Sequence, residues 1–148
     1  MTQQGTVKRN RDEWSALLRQ KQRRVTQQRL VVLDILQGQP HSTADEVLTL
    51  ARVELPKLTV QSVYTVLQDL TDLDLLRKIE LPGQPARFET RTLDNHHHAV
   101  CIRCGAIEDV DCVVGEAPCL CPSNAGNMTI QVADVLFQGL CHDCADAA

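Results

Sequence analysis

Leu58-Thr-Val-Gln-Ser-Val-Tyr-Thr-Val-Leu-Gln-Asp-Leu70 is the stretch on which the fold turns. Thr59 can cap the N-terminus of a helix, Leu58 and Val63 bracket it as a hydrophobic staple, and Val60, Val63, Leu67 and Leu70 recur as one apolar stripe. The opposite face carries Gln61, Ser62, Tyr64, Thr65 and Gln68, all polar and uncharged, with one aromatic ring. Hydroxyl and amide groups so arranged can read base edges and touch thymine methyls in a major groove.

Working outward, three more helices precede this one. Trp14, Leu17, Leu18 and Lys21 fall at helical spacing within 12–22. Thr26 caps a second helix that runs through Leu30, Leu33, Ile35 and Leu36 and stops at Gly38. Thr43-Ala-Asp-Glu46 is a capping box that opens a third, with Val47, Leu48 and Leu50 facing inward. Downstream, residues 75–81 and 86–90 flank Pro82-Gly83-Gln84-Pro85, which predicts a β-hairpin with a four-residue loop. Helices followed by a hairpin make a winged helix-turn-helix, although the pattern alone also suits other small α+β domains. From His96 onward, short β-prone stretches at 97–102, 106–111, 128–132 and 135–138 predict a second, mainly β domain. The resulting division is 1–90 and 96–148, joined by a hinge at 91–95.

The 148 residues are 43% hydrophobic, enough for a core, and carry a net charge of -4. That sum conceals a polarity. Residues 1–93 hold 14 Lys/Arg against 11 Asp/Glu, whereas residues 94–148 hold one Arg and eight acids. A basic front and an acidic, His- and Cys-rich back suit a polyanion binder joined to a cation binder; a solvated basic tail is the plainer alternative. No run reaches the roughly 18 apolar residues of a membrane helix, and the N-terminus is polar, so a soluble, cytoplasmic chain is expected.

Cys101-Ile-Arg-Cys104 and Cys141-His-Asp-Cys144 are two CxxC pairs. Four thiolates satisfy Zn²⁺ tetrahedrally and leave no open position, so the spacing predicts a structural, zinc-ribbon-like site; a redox CxxC or a pair of disulfides are the other readings. Enzymatic zinc chemistry is disfavoured. There is no HExxH, and neither CxxC follows proline as a nucleobase deaminase requires.

On a strand, His96 and His98 share one face and His97 takes the other. Two imidazoles on one face can chelate, and His41, Glu89 and Asp109 are further candidates; an exposed polar strand edge is the alternative. Mixed nitrogen and oxygen ligands suit Fe²⁺, Mn²⁺ or Zn²⁺. Ligands drawn from both halves would let one ion lock the hinge.

These segments together resemble the ferric uptake regulator family over nearly the whole chain: Arg24-Val-Thr-Gln-Gln-Arg29, His41-Ser-Thr-Ala-Asp45, Val63-Tyr-Thr-Val-Leu67, Ala86-Arg-Phe-Glu89, His96-His-His-Ala-Val-Cys101 and the two CxxC pairs. Asp94-Asn-His-His-His98 and Asp111-Cys-Val-Val-Gly-Glu-Ala-Pro-Cys119 are most similar to the actinobacterial, catalase-linked, peroxide-responsive branch. The resemblance implies an N-terminal winged helix, a C-terminal α/β dimerisation domain, and a homodimer that binds AT-rich inverted repeats as a repressor when metal is present. It puts His41, Glu89, His96, His98 and Asp109 on the regulatory metal site, holding Fe²⁺ or Mn²⁺, with Zn²⁺ or Ni²⁺ as substitutes in vitro. It puts Tyr64 on the recognition-helix tyrosine and Arg24 on a basic residue able to enter a minor groove. Asp109, where iron sensors often carry Glu, is similar to the peroxide-sensing branch, in which peroxide oxidises a ligand histidine; an iron- or zinc-responsive uptake repressor is the alternative, and a metal-binding protein without DNA the remoter one.

Three departures matter. Thr65 stands where many members carry Arg. Asn95 and Ala133 replace histidines of a further metal site, so none is expected there. Cys112, Cys119 and Cys121 are additional thiols, read most simply as ordinary buried small side chains; a second, cysteine-based redox route could also use them.

Overall fold

In the computed structural model of the chain, residues 7–92, 94–112 and 118–147 are described. Leu93 of the expected hinge and residues 113–117 of the 111–119 motif lie outside them, as do the extreme termini of both expected domains. The chain divides into two units, Met1–Thr92 and Leu93–Ala148.

Side-chain caps start each helix of the first unit. Asn10 and Glu13 form a reciprocal capping box for α1 (Arg11–Gln20), Thr26 caps α2 (Gln27–Gly38), Thr43 and Glu46 form a second box for α3 (Ala44–Ala51), and Thr59 caps α4 (Val60–Asp72). Each supplies an acceptor to an N–H that the helix itself cannot satisfy. The first helix ends earlier than its spacing predicts, because Gln22 adopts the left-handed region at φ 58° and turns the chain. Trp14 and Leu18 of α1, Val32, Leu33 and Leu36 of α2, Val47 of α3, and Val63, Leu67 and Leu70 of α4 meet in one core.

The apolar stripes shift slightly from expectation. Val60 is 45% exposed, whereas Val66 is buried. Val60 occupies the first turn, beyond the end of the core, and the stripe that packs is Val63, Val66, Leu67 and Leu70. On α3 the inward positions are Ala44, Val47 and Ala51, with Leu48 and Leu50 only half-buried at its edges. Leu58 and Val63 are both buried around the Thr59 cap, as the staple requires.

The hairpin forms with shorter arms than expected. β2 (Arg77–Ile79) pairs antiparallel with β3 (Arg87–Glu89), Lys78 opposite Phe88. Leu75 and Leu76 donate their N–H groups back to Leu70 O, at 3.0 and 3.2 Å, and bury their side chains instead of extending the ladder. The connection therefore spans seven residues rather than four, with Gly83 at φ 69°. A third strand, β1 (Ser42–Thr43), joins the other side of β3. Two residues carry no alternation to read, so this strand is invisible in the sequence.

In the second unit β4 (His96–Cys101) is central, with β5 (Ile107–Asp111) antiparallel on one side and β6 (Leu136–Gly139) parallel on the other. The stretch at 128–132, expected to be a strand, is irregular. Both edges of β4 are already taken, and Met128 and Val132 are exposed, so nothing rewards pairing there. A short helix, α5 (His142–Asp146), follows Cys141 and makes this unit α/β rather than mainly β. Among the described residues no helix is long and apolar enough to cross a membrane.

Candidate functional site

The outer face of α4 presents Gln61, Tyr64, Thr65 and Gln68 to solvent, with Ser62 half-buried among them. Their local bonds stay on the helix: Thr65 Oγ1 donates to Gln61 O at 3.0 Å, Thr59 Oγ1 to Ser62 Oγ at 2.9 Å, and Gln68 Nε2 to Asp72 Oδ1 at 2.8 Å. Tyr64 is 54% exposed on a helix whose opposite face is core. Asp69 is neutralised by Arg23 at 3.1 Å and by Arg29 at 3.0 Å. Arg24 is exposed, and among the described residues its guanidinium has no partner. The result is a hydrogen-bonding helix face, uncharged from Gln61 to Gln68 and flanked by an exposed cation, which suits a polyanion with readable edges.

In the second unit Cys101 and Cys104, around the turn after β4, meet Cys141 and Cys144 at the start of α5. The four sulfurs lie within 4.8 Å of one another, with Cys104 Sγ and Cys141 Sγ 3.7 Å apart. Zn–S bonds of about 2.3 Å give a tetrahedron with edges of about 3.8 Å, so these residues fit zinc. The backbone reinforces the site. N–H groups of Cys104 and then Cys141 point at the Cys101 sulfur and bring its thiol down to about 6. The bond with Cys141, helped by burial, pushes Cys144 up to about 12.

Each unit carries nitrogen and oxygen candidates. In the first unit His41 Nε2 lies 3.0 Å from the buried Glu89 Oε2. His41 sits in the left-handed region at φ 67°, held by its N–H to Phe88 O (2.9 Å) and by Arg87 Nη1 donating to its carbonyl (3.0 Å). Strain of this kind in a non-glycine residue persists only where the surroundings enforce it.

In the second unit His96 and His98 share one face of β4, their ring centroids 4.9 Å apart, and both Nε2 atoms approach Asp109 Oδ1, at 3.5 and 3.3 Å. Asp94 Oδ1 lies 2.8 Å from His96 Nδ1. A neutral His96 that donates Nδ1–H to Asp94 must present a lone pair at Nε2, facing a carboxylate oxygen. A cation between the two resolves that opposition, and a carboxylate behind a ligating imidazole is the usual supporting arrangement. Asp94 escapes the sequence reading because it precedes the strand whose alternation identifies the histidines.

His97 points to the other face. Its Nδ1 accepts the Val135 N–H at 3.2 Å and its Nε2 lies 3.2 Å from Cys119 Sγ, with Cys112 completing a cluster whose ligand atoms are within 4.8 Å of one another. Cys121 is exposed and apart from this cluster.

The ferric uptake regulator family matches residues 20–116. The transcriptional regulator FurA of Mycobacterium tuberculosis is 44% identical over 133 residues, 90% of each chain. The peroxide-responsive repressor PerR of Staphylococcus aureus is 31% identical over 99 residues, 66% of each. A zinc uptake regulator solved in complex with zinc and DNA shares the fold, with a TM-score of 0.65 and 21% identity over 93% of each chain. The chain belongs to the ferric uptake regulator family and is a metal-responsive transcriptional regulator, not an enzyme.

Proposed function

We propose that the protein is a homodimeric repressor of AT-rich inverted-repeat operators that binds DNA when a divalent cation is held and releases it on exposure to peroxide. Residues 1–90 contact DNA through Gln61, Ser62, Tyr64 and Thr65 in the major groove and Arg24 at the backbone or minor groove. Residues 96–148 dimerise around a structural Zn²⁺ on Cys101, Cys104, Cys141 and Cys144. The regulatory ion, Fe²⁺ or Mn²⁺, takes ligands from His41 and Glu89 on one side of the hinge and His96, His98 and Asp109 on the other.

The observation that carries this reading is the wholly nitrogen-and-oxygen donor set, with His96 Nε2 turned toward Asp109 by its bond to Asp94. Hard and borderline divalent ions prefer such donors, and thiolates elsewhere take the softer role. Likeness to a peroxide-responsive repressor supports peroxide as a signal. Bound Fe²⁺ would supply peroxide reduction beside imidazoles, leaving one oxygen atom on His41 or His96 and releasing the other as water.

The test uses anaerobically purified protein and a labelled AT-rich palindrome. Fe²⁺ or Mn²⁺ should restore tight binding. Peroxide should abolish it only in the iron form, with one oxygen added to the peptide bearing His41 or His96. Loss of binding with neither peptide altered would remove the histidine route; iron-form binding indifferent to peroxide would favour an iron-level sensor.

A further inference from the structure

The cluster on the reverse of β4 has a chemistry of its own. The Val135 N–H can only donate, so His97 Nδ1 is the acceptor there and a neutral ring carries its proton on Nε2. That N–H is aimed at Cys119 Sγ, 3.2 Å away. A metal-ligating Nε2 would need the opposite tautomer, with Nδ1–H given to an acceptor. Here the ring is fixed as a donor to sulfur. Cys112 Sγ lies within 4.8 Å of Cys119 Sγ and receives a hydrogen bond from Asn95 Nδ2 at 3.5 Å. Two sulfurs held close, each facing an N–H, match a pair that can be oxidised together.

We propose that Cys119 is a hydroperoxide-reactive thiol and Cys112 its resolving partner, with His97 as the residue that positions the Cys119 sulfur. The Cys119 thiolate attacks one peroxide oxygen, the O–O bond breaks, and the departing hydroxide takes a proton from solvent. The product is a sulfenic acid. The Cys112 thiolate then attacks that sulfur, the S–O bond breaks, and a second hydroxide leaves and is protonated. In sum, two thiols and one hydrogen peroxide become one disulfide and two waters, each sulfur giving up one electron.

The inference extends the peroxide reading, but it needs no iron, so the two fail separately. Cys121, exposed and two residues from Cys119, is a reference thiol within the same molecule. If accessibility alone governed oxidation, Cys121 would react first.

The experiment treats iron-free, zinc-loaded full-length protein with hydrogen peroxide. Trypsin cannot separate these cysteines, since no Lys or Arg follows Arg103 in the sequence; cleavage after Glu116 places Cys112 and Cys119 on different peptides. The expected product is a Cys112–Cys119 link reversed by dithiothreitol, formed before any change at Cys121. Cys112→Ser should accumulate a dimedone adduct on Cys119. His97→Phe should slow Cys119 about tenfold relative to Cys121, roughly the effect of one lost hydrogen bond, and His97→Gln, which keeps an N–H donor, should recover most of it. Unchanged zinc content and circular dichroism establish that each variant is folded. Cys121 oxidising first, or a His97→Phe rate equal to the wild type, would overturn the proposal. So would an extra equivalent of zinc that protects Cys119 and is lost in Cys119→Ser, since that makes the cluster a metal site.

Discussion

Arg24→Ala separates the cations that hold the fold from the one proposed to meet DNA. Arg23 and Arg29 both bind Asp69, at 3.1 and 3.0 Å, and Arg29 Nη1 also donates to the Arg24 carbonyl at 2.7 Å. The Arg24 side chain has no such tie among the described residues, so its loss should leave the melting temperature unchanged. Each neutralised phosphate adds about 0.9 to the slope of log affinity against log salt, so two copies in a dimer add about 1.8. Raising salt from about 50 to about 200 mM should therefore weaken the wild type about 12-fold more than the variant. The assay is fluorescence anisotropy on a labelled AT-rich inverted repeat at several salt concentrations with Mn²⁺ present. Arg29→Ala is the contrast: half-buried and triply bonded, it should cost about 1–3 kcal/mol of stability. An Arg24→Ala slope equal to that of the wild type would refute the assignment.

Tyr64→Ala, at a site 54% exposed, should leave stability intact and cost about 1–3 kcal/mol of discrimination at one base pair, measured by competition among mutated operators. Leu67→Ala, at 1% exposure in the core, should cost about 2–5 kcal/mol in denaturant unfolding; a loss below about 1 kcal/mol would mean the core is not packed as described. Zinc binding at the four-cysteine site should weaken as pH falls, because metal must displace thiol protons. The Ala106 N–H draws Cys104 down, but its bonds with Cys101 and Cys141 carry it net upward, and Cys144 stands at about 12, so both hold protons at neutral pH. At least two protons released give a loss in affinity of at least about 100-fold per unit of pH, read by chelator competition; a flat profile would contradict this.

What was legible in the sequence was local. Thr26, Thr43 and Thr59 act on N–H groups within three residues, so their caps can be read from the chain and the structure contains each one. The CxxC spacing likewise places two thiols together on a turn before any fold is known, and alternation along β4 separates His97 from His96 and His98. Tertiary structure decided whatever depends on partners far along the chain. β6 lies parallel to β4, and β1 finds β3 across more than forty residues; neither register is written in either strand alone. The same applies to Asp94 behind His96 and to Val135, whose N–H selects the tautomer of His97 from thirty-eight residues away. Hydrogen bonding and burial are pairwise properties of space: a sequence shows which groups require partners, and only the folded chain supplies them.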